Sequence, residues 1–432
     1  MTTPLIPLRR QRDYRLLWSA RAISETGSEV ARLAVPLTAA VTLDASPIEM
    51  GVLTAASTFP FLLVGLPSGA MADRVARRRP VMVACELISG LAALSVPLAW
   101  LAGLLSVPWL IAVAFTIGMC TVVFRTFNTP HLATVVAEPQ RTAAIAGFQS
   151  VFSVAQMGGP GLAGMLVALL TAPIAVVVNA VTFLVSAVCL RAIRTPENGA
   201  ATEKRGLARE IGEGLRVLVN HPVLRALCVT GMIVNVLGAA QMALFILFAV
   251  NILGLPAPLV GVAAIGFGVG GLIGAMLAPR LTARFGENKV LLGSVLFFPL
   301  GFAATAGAGG PLWLAICQIA GAEVITGVAV VAYSVCSGSV TMREAPDGLL
   351  GRVNATTNFA TQGVMALGGI LGGVLGELLG LRPALWICAA GSLLCIVSLW
   401  LSPIRRGARR AAAEDSPSTA PHRQSDPEAA RT

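Results

Sequence analysis

The chain of 432 residues is 56% hydrophobic, has only 12% charged residues and carries a formal net charge of +10. A water-soluble globular protein has about a quarter charged residues, so this composition argues against a soluble enzyme or binding domain. The apolar residues form successive runs of about twenty or more, which is long enough to cross a bilayer. The sequence therefore predicts a multi-pass membrane protein.

Twelve membrane spans are predicted, six in each half of the chain, and they are numbered 1 to 12. Each is expected to be a helix, because backbone polar groups in lipid must be satisfied within the segment and the runs are too long for barrel strands. The predicted fold class is an all-α membrane protein with two pseudo-symmetric six-helix bundles. The spans are 15–42, 48–71, 80–104, 108–129, 142–170, 173–193, 222–250, 258–279, 289–308, 312–338, 353–379 and 383–402.

The basic residues indicate the orientation of these spans. When the chain is threaded from an inside N-terminus, 28 of its 31 lysines and arginines fall on one side of the membrane. Cytoplasmic loops of membrane proteins carry such an excess of positive charge. We therefore expect a plasma-membrane protein with both termini in the cytoplasm. The positive charge is a topology signal, and nucleic-acid binding is not expected.

Span 1 carries four charges on one helical face. Arg21, Glu25, Glu29 and Arg32 are spaced by four, four and three residues, so they can pair along the helix. At about 1.5 Å per residue from Arg15, Glu25 lies about 15 Å deep, near the bilayer centre. Ionisable groups at that depth are costly and normally face a bundle interior or a watery cavity. Glu25 or Glu29 is a candidate for proton coupling or for binding a cationic substrate group; the alternative is a static network that cross-links helices.

Two more acids, Glu86 of span 3 and Glu323 of span 10, are predicted within the membrane and are assigned to the same candidate cavity. Arg125 lies near the inner end of span 4. For this arginine a topology role at the membrane surface is favoured over a coupling role, because long basic side chains near helix ends reach back to the interface.

The connection between spans 2 and 3 carries a glycine, an aspartate and a run of arginines. Asp73 ends span 2 near the point where span 11 begins, and a carboxylate is favoured there by a helix N-terminus and by a nearby guanidinium. Such a contact would latch an inner gate; the alternative is that Asp73 and its arginines only mark topology. The predicted gate residues are Gly69, Asp73, Arg74, Arg77, Arg78 and Arg352.

The middle of span 5 contains the sequence from Gly159 through Pro160 to Gly164. Proline removes a backbone donor and can bend a helix, while glycine lets helices approach closely. We expect either a moving hinge at these residues or a purely packing role.

A polar, turn-rich stretch separates the two halves and defines four predicted regions: 1–193, the linker 194–221, 222–404 and the tail 405–432. The linker contains an amphipathic helix, which is expected to lie on the inner leaflet as an interfacial tether, with partner binding as the alternative. Its apolar residues are Leu207, Ile211, Leu215 and Leu218. The tail is rich in alanine, arginine, proline and serine and is expected to be disordered.

Two motifs recur between the halves. Gly69–Ala72 is repeated as Gly274–Leu277, 205 residues later, and Gly159–Leu166 is repeated as Gly368–Leu375, 209 residues later. Parallel repeats of this kind build several transporter folds with a site between the halves.

These motifs and their order resemble the major facilitator superfamily. Gly69–Arg78 is similar to the Gly-x-x-x-Asp-Arg-x-Gly-Arg-Arg signature between its helices 2 and 3, with Ala76 in place of the usual glycine. Gly159–Gly164 is similar to the Gly-Pro-x-x-Gly-Gly signature of its drug:proton antiporters. Glu210–Arg216 and Leu350–Ala355 resemble the branch that holds enterobactin-type siderophore exporters and macrolide efflux pumps.

The resemblance implies a secondary transporter that exports a small amphipathic compound, such as a drug, antibiotic or siderophore, by alternating access. No ATP-binding loop is present, since neither Lys204 nor Lys289, the only lysines, follows the required glycines. Proton antiport is inferred from this absence, from the buried acids and from the resemblance. The expected partners are a small-molecule substrate, protons and the lipid bilayer, with the protein acting as a monomer.

No enzymatic activity, cofactor or metal is expected. The eight cysteines lack metal-ligand spacing, and His131, His221 and His422 are predicted in loops or in the tail. The remaining alternatives are an uptake transporter of the same fold, a non-transporting receptor or regulatory protein, and a membrane enzyme or lipid scramblase.

Overall fold

The computed structural model describes residues 6–197, 207–346 and 349–404, so the predicted disorder of the tail lies outside the described residues. Within those ranges some side chains are also outside the description. They are the side chains of Leu66, Gly69, Ala70, Asp73, Arg74, Met157 and residues 207–211.

The described chain is built from helices, and each predicted span corresponds to one helix or to a pair of consecutive helices. They are numbered as the spans were. In the N-terminal half the helices are helix 1 (Arg12–Leu37), helix 2 (Pro47–Thr58 and Pro60–Arg74), helix 3 (Arg78–Leu101), helix 4 (Val107–Val135), helix 5 (Arg141–Leu170) and helix 6 (Ala172–Arg191).

A linker helix, Leu207–Asn220, precedes the C-terminal half. The helices of that half are helix 7 (Pro222–Leu247), helix 8 (Ala257–Phe285), helix 9 (Glu287–Ser294 and Phe297–Ala306), helix 10 (Leu312–Glu344), helix 11 (Leu350–Gly363 and Met365–Leu379) and helix 12 (Leu381–Trp400).

Ten helices in the described residues are long and apolar enough to cross a membrane, and helix 5 is an eleventh if its two parts, bent by 41°, form one span. Helix 1 is less apolar because Glu25, Glu29 and Arg32 lie in its middle. Helix 4 continues to Val135, six residues beyond the predicted end of its span. The prediction of a loop position for His131 is therefore wrong, since His131 lies within helix 4 and is fully buried.

The repeat read from the sequence is present in the backbone. Helix 1 ends in a π-helical turn, Thr38–Thr42, and helix 7 ends in the same kind of turn, Phe248–Ile252. Thr171, between helices 5 and 6, and Gly380, between helices 11 and 12, both adopt positive φ angles, of 75° and 89°. An L side chain rarely adopts this conformation, so its recurrence at equivalent points indicates a shared architecture.

The two halves meet through glycines. Helix 2 packs on helix 11 so closely that a Cβ atom at Gly51 would lie 2.8 Å from the Cα atom of Gly373. Helix 5 packs on helix 8, where a Cβ atom at Gly164 would lie 2.9 Å from the Cα atom of Gly261. Because glycine has no side chain, the helix backbones can approach closely, and helices in lipid commonly associate in this way.

These glycine contacts lie at one end of the bundle. We call the end where helix 1 begins and helix 12 finishes the termini end, and the opposite end the far end. One buried apolar cluster at the far end contains residues of both halves, among them Leu37, Val107, Ile246 and Leu255. The far end is therefore sealed by a core that the two halves share.

At the termini end the buried apolar clusters belong to separate halves. One contains Tyr14, Leu17 and Phe127 of the N-terminal half, and another contains Phe298 and Leu399 of the C-terminal half. Polar side chains of helices 10 and 11 at this end, such as those of Ser334 and Asn358, are exposed. The interior of the protein thus opens toward the termini end.

The linker helix packs against the C-terminal half. Leu218 is buried with Leu224 of helix 7 and Val353 of helix 11, and Gly214 is buried against helix 11. Leu215, on the predicted apolar face, is 49% exposed. The helix is therefore not only an interfacial tether, because one of its faces is part of the protein core; Leu207 and Ile211 of that predicted face lie among the side chains outside the description.

Candidate functional site

The charges predicted on helix 1 form two ion pairs. Nη2 of Arg21 lies 2.7 Å from Oε1 of Glu25, and Nη2 of Arg32 lies 2.9 Å from Oε1 of Glu29. Both glutamates are buried, with 7% of Glu25 and 4% of Glu29 exposed, whereas about half of the Arg32 side chain is exposed. The spacing of three or four residues places these groups on one face, as the sequence indicated.

Helix 4 adds a second arginine to this cluster. Nη2 of Arg125 lies 3.5 Å from Oε1 of Glu25, and its guanidinium lies over the ring of Phe152 at 5.8 Å from the ring centroid. The sequence favoured a topology role for Arg125, whereas the structure places its guanidinium beside the buried Glu25. A single carboxylate oxygen of Glu25 is therefore shared by guanidinium groups from two helices.

Helix 3 contributes the third acid. Glu86 is 3% exposed and accepts a hydrogen bond of 3.1 Å from the hydroxyl group of Ser24. Ser24 precedes Glu25 on helix 1, so Glu86 lies against the side of helix 1 that adjoins Glu25. Arg21, Glu25, Glu29, Arg32, Glu86 and Arg125 together form what we call the helix 1 cluster.

The helix 5 motif contacts this cluster directly. Gly159 is buried, and a Cβ atom there would overlap the Cβ atom of Glu29. Further along the helix, Gly164 lies against Gly261 of helix 8. The motif therefore connects a buried acid to the contact between the halves, which the sequence motif alone did not reveal. The moving hinge at Gly159, Pro160 and Gly164 stays a prediction.

Glu323 lies apart from the other predicted acids. It is on helix 10 in the C-terminal half, beside the point where Gly266 of helix 8 packs on Ala320. Among the described residues it has no hydrogen-bond or ion-pair partner. The sequence assigned all six candidate charges to one cavity, and the structure brings five of them together in the N-terminal half.

The predicted gate residues are described only in part. The side chains of Gly69, Asp73 and Arg74 lie outside the description. Arg77 is exposed, and Nε of Arg78 donates a hydrogen bond of 3.1 Å to the carbonyl oxygen of Ala72. The contact between Asp73 and helix 11 stays a prediction.

Arg352, the gate residue on helix 11, forms an ion pair with Glu213 of the linker helix. A Cβ atom at Gly214 would overlap Oγ1 of Thr356 and would lie 2.9 Å from the carbonyl oxygen of Arg352. The linker helix is therefore held on the termini end of helix 11 by both charge and close backbone packing.

A second anchor holds the start of the linker on the N-terminal half, and sequence reasoning missed it. Nδ1 of His131 lies 2.8 Å from Oε1 of Glu197, and the same oxygen accepts a hydrogen bond of 2.9 Å from the backbone N–H group of Arg79. Asp13 of helix 1 accepts hydrogen bonds from the backbone and hydroxyl groups of Thr195. Placing His131 in a loop concealed this contact.

Comparison with known proteins agrees with this architecture. A family model described as transmembrane secretion effector matches residues 2–428. Macrolide efflux protein A of Streptococcus pyogenes is 22% identical over 400 residues, which are 89% of this chain and 94% of that protein. The multidrug efflux pump Tap of Mycolicibacterium fortuitum is 27% identical over 377 residues, 83% of this chain and 88% of that protein.

Two other similarities are less complete or less close. The match to the MFS-type transporter YfiS of Bacillus subtilis, 28% identical over 229 residues, spans 52% of this chain and only about half (53%) of that protein. The crystal structure of the nucleoside transporter NupG superposes with a TM-score of 0.71 at 14% identity, covering 91% of this chain and 98% of that one. At this identity the likeness shows the fold alone.

The fold of two repeated helix bundles, joined at one end and open at the other around buried charges, defines a membrane transporter of the major facilitator type for small molecules, and not an enzyme. Within that class, the chain belongs to the transmembrane secretion effector family, whose model matches almost its whole length.

Proposed function

We propose that this transporter exports a small amphipathic compound with a positively charged group, and that proton entry drives the export. The observation that carries the proposal is the position of Glu25, a buried carboxylate between Arg21 and Arg125. A buried acid that exchanges a proton for ion-pair partners can take two stable states, and each state can be tied to one conformation of the bundle.

In the conformation described above, the far end is closed and Glu25 is paired with both arginines. This state corresponds to the step after proton release, when the interior is open to the side that holds the substrate. Protonation of Glu25 from the other side would remove the negative charge that holds Arg125. The released guanidinium then changes the contact between helices 1 and 4, which favours a different packing of the bundle.

The direction of transport rests on two supports. The positive-inside distribution of basic residues supports a cytoplasmic termini end, where the open interior would face a cytoplasmic substrate. Two relatives that match most of the chain are named as efflux proteins. We extend this to a plasma-membrane location with both termini in the cytoplasm and to a monomeric working unit.

The experiment that tests the proposal is transport into everted membrane vesicles with an imposed pH gradient, using ethidium and erythromycin as amphipathic cations. Acidification of the vesicle interior should accelerate accumulation of at least one probe, and a protonophore should abolish the acceleration. Vesicles without the protein give the background.

Three results would count against the proposal in different ways. Accumulation that is independent of the pH gradient would contradict proton coupling but would still support export. Accumulation only in right-side-out vesicles would indicate uptake. Movement of neither probe in either orientation, with folded protein in the membrane, would favour a receptor or regulatory role.

A further inference from the structure

A groove of about 490 Å³ opens between helices 10 and 11 in the C-terminal half. Asn354 and Ala355 of the Leu350–Ala355 motif belong to its wall, whereas the charged residues discussed above do not. Its wall includes Ser334, Ser337, Thr341, Asn354, Thr357 and Asn358.

The groove is lined by neutral residues. The serines and the threonine of helix 10 follow one another at three and four residues, so they form one stripe along that helix. The asparagines of helix 11 are four residues apart and form the facing stripe. Gly338 and Ala355, the small residues of the wall, leave room between the stripes. The other lining residues carry hydroxyl or amide groups, and none is charged.

The two asparagines are available to a ligand. Asn354 and Asn358 are exposed, and their side chains make no hydrogen bond within the described part of the chain. A carboxamide offers both donors and acceptors, and a hydroxyl group does the same. A wall of amides and hydroxyls therefore matches a partner that carries several hydroxyl groups, whereas it offers a charged group no opposite charge.

The groove and the helix 1 cluster lie at similar depths. At about 1.5 Å per residue from the helix ends, Glu25 and Arg125 lie about 15 to 20 Å from the termini end. By the same count Ser334 and Asn358 lie about 12 to 15 Å from that end. At this depth the N-terminal half thus carries a charged cluster, and the C-terminal half carries a neutral, hydrogen-bonding groove.

We infer that the groove between helices 10 and 11 binds a neutral, hydroxyl-rich group of the transported compound, such as a sugar substituent. The inference rests on the proposed function and narrows its substrate class to amphipathic cations that carry a polyhydroxylated part. The cationic part of such a compound pairs with the acids of helix 1, and the hydroxyl-rich part hydrogen-bonds to Asn354 and Asn358. Such a compound would contact both halves of the protein, and in alternating access the two halves move relative to each other.

The test compares two probes in everted vesicles. Erythromycin is a glycosylated amine, and ethidium is an aromatic cation without hydroxyl groups. Asn354→Leu and Asn358→Leu are compared with Gln362→Leu, a matched amide-to-leucine change on helix 11 outside the groove lining. Each groove substitution should lower the transport efficiency of erythromycin by about fivefold, the size expected for one lost hydrogen bond. Ethidium transport should be unchanged, and Gln362→Leu should affect neither probe.

Ethidium transport also shows that each variant folds and completes its cycle. Equal loss of both probes in the groove variants, or unchanged erythromycin transport, overturns the inference. If the unmodified protein moves ethidium but neither erythromycin nor a second glycoside, doxorubicin, the inference is wrong while the proposed function stands. If it moves no probe, the proposed function is wrong, and the inferred substrate class, which depends on that function, is wrong as well.

Discussion

The guanidinium of Arg125 on helix 4 lies 3.5 Å from the carboxylate of Glu25 on helix 1. A hundred residues separate the two along the chain, and they meet because helices 1 and 4 face the same interior. Glu25 already has Arg21 of its own helix at 2.7 Å, so the second arginine adds a contact between helices. Glu25 is buried, whereas about 45% of the Arg125 side chain is exposed, so the contact ties the charge of a buried carboxylate to the packing of helix 4.

Replacing Glu25 by glutamine should uncouple transport from the pH gradient. Glutamine keeps the shape of the side chain but cannot exchange a proton. We expect gradient-driven accumulation in everted vesicles to fall at least about tenfold, because loss of a proton-transferring group commonly lowers a rate by about a hundredfold or more. Substrate exchange without a gradient should continue. Glu49→Gln is the matched control, because Glu49 belongs to the capping box of helix 2 at the far end, where glutamine also serves. A normal gradient response of Glu25→Gln would contradict the assignment.

Two adjacent glycines on helix 5 should respond differently to alanine. A Cβ atom at Gly159 would overlap Glu29, whereas a Cβ atom at Gly158 has no neighbour within 4 Å. Overpacking a buried helix contact costs about 1–3 kcal/mol. Gly159→Ala should therefore lower the melting temperature and impair transport, and Gly158→Ala should do neither. Equal behaviour of the two variants would mean that helix 5 does not pack on Glu29 as described.

The linker helix offers a second matched pair. Alanine at Gly214 would overlap Thr356 of helix 11, while alanine at Gly212 has open space around it. We expect Gly214→Ala to displace the linker helix and to destabilise the protein by about 1–3 kcal/mol. Gly212→Ala should be neutral or slightly stabilising, since alanine favours helix formation. Thermal unfolding in detergent measures both, and a stable Gly214→Ala protein would argue against docking on helix 11.

Glu197 should matter for stability although it lies outside every predicted span. Its carboxylate contacts the buried His131 and the backbone of Arg79. Removing it takes the hydrogen-bond acceptor from the Arg79 N–H group and the facing carboxylate from His131, and a polar group left unsatisfied in the interior costs about 1–3 kcal/mol. Glu197→Ala should unfold at a lower temperature than the unmodified protein. Glu138→Ala, at an exposed position of the same half, serves as the control and should melt normally. Identical melting temperatures of the two variants would contradict a stabilising role for the contacts of Glu197.

Much of the site could be predicted from local spacing. The pairs Arg21 with Glu25 and Glu29 with Arg32 follow from separations of four and three residues on a helix. The burial of Glu86 follows from its place within an apolar run. Contacts between helices did not follow in this way. The pairing of Arg125 with Glu25, the contact of Gly159 with Glu29 and the separation of Glu323 depend on how helices far apart in the chain are rotated and packed.

The sequence by itself determined that the chain is a membrane protein of repeated apolar helices, because bilayer thickness and backbone hydrogen bonding constrain each span separately. It also determined the charged face of helix 1, since helical periodicity acts within one segment. Only the tertiary structure decided which end is sealed, which charges share a cavity and where the linker docks. These features arise from packing between distant segments, which no local pattern encodes. The charged face of helix 1 became a candidate site only when helices 3, 4 and 5 were packed around it.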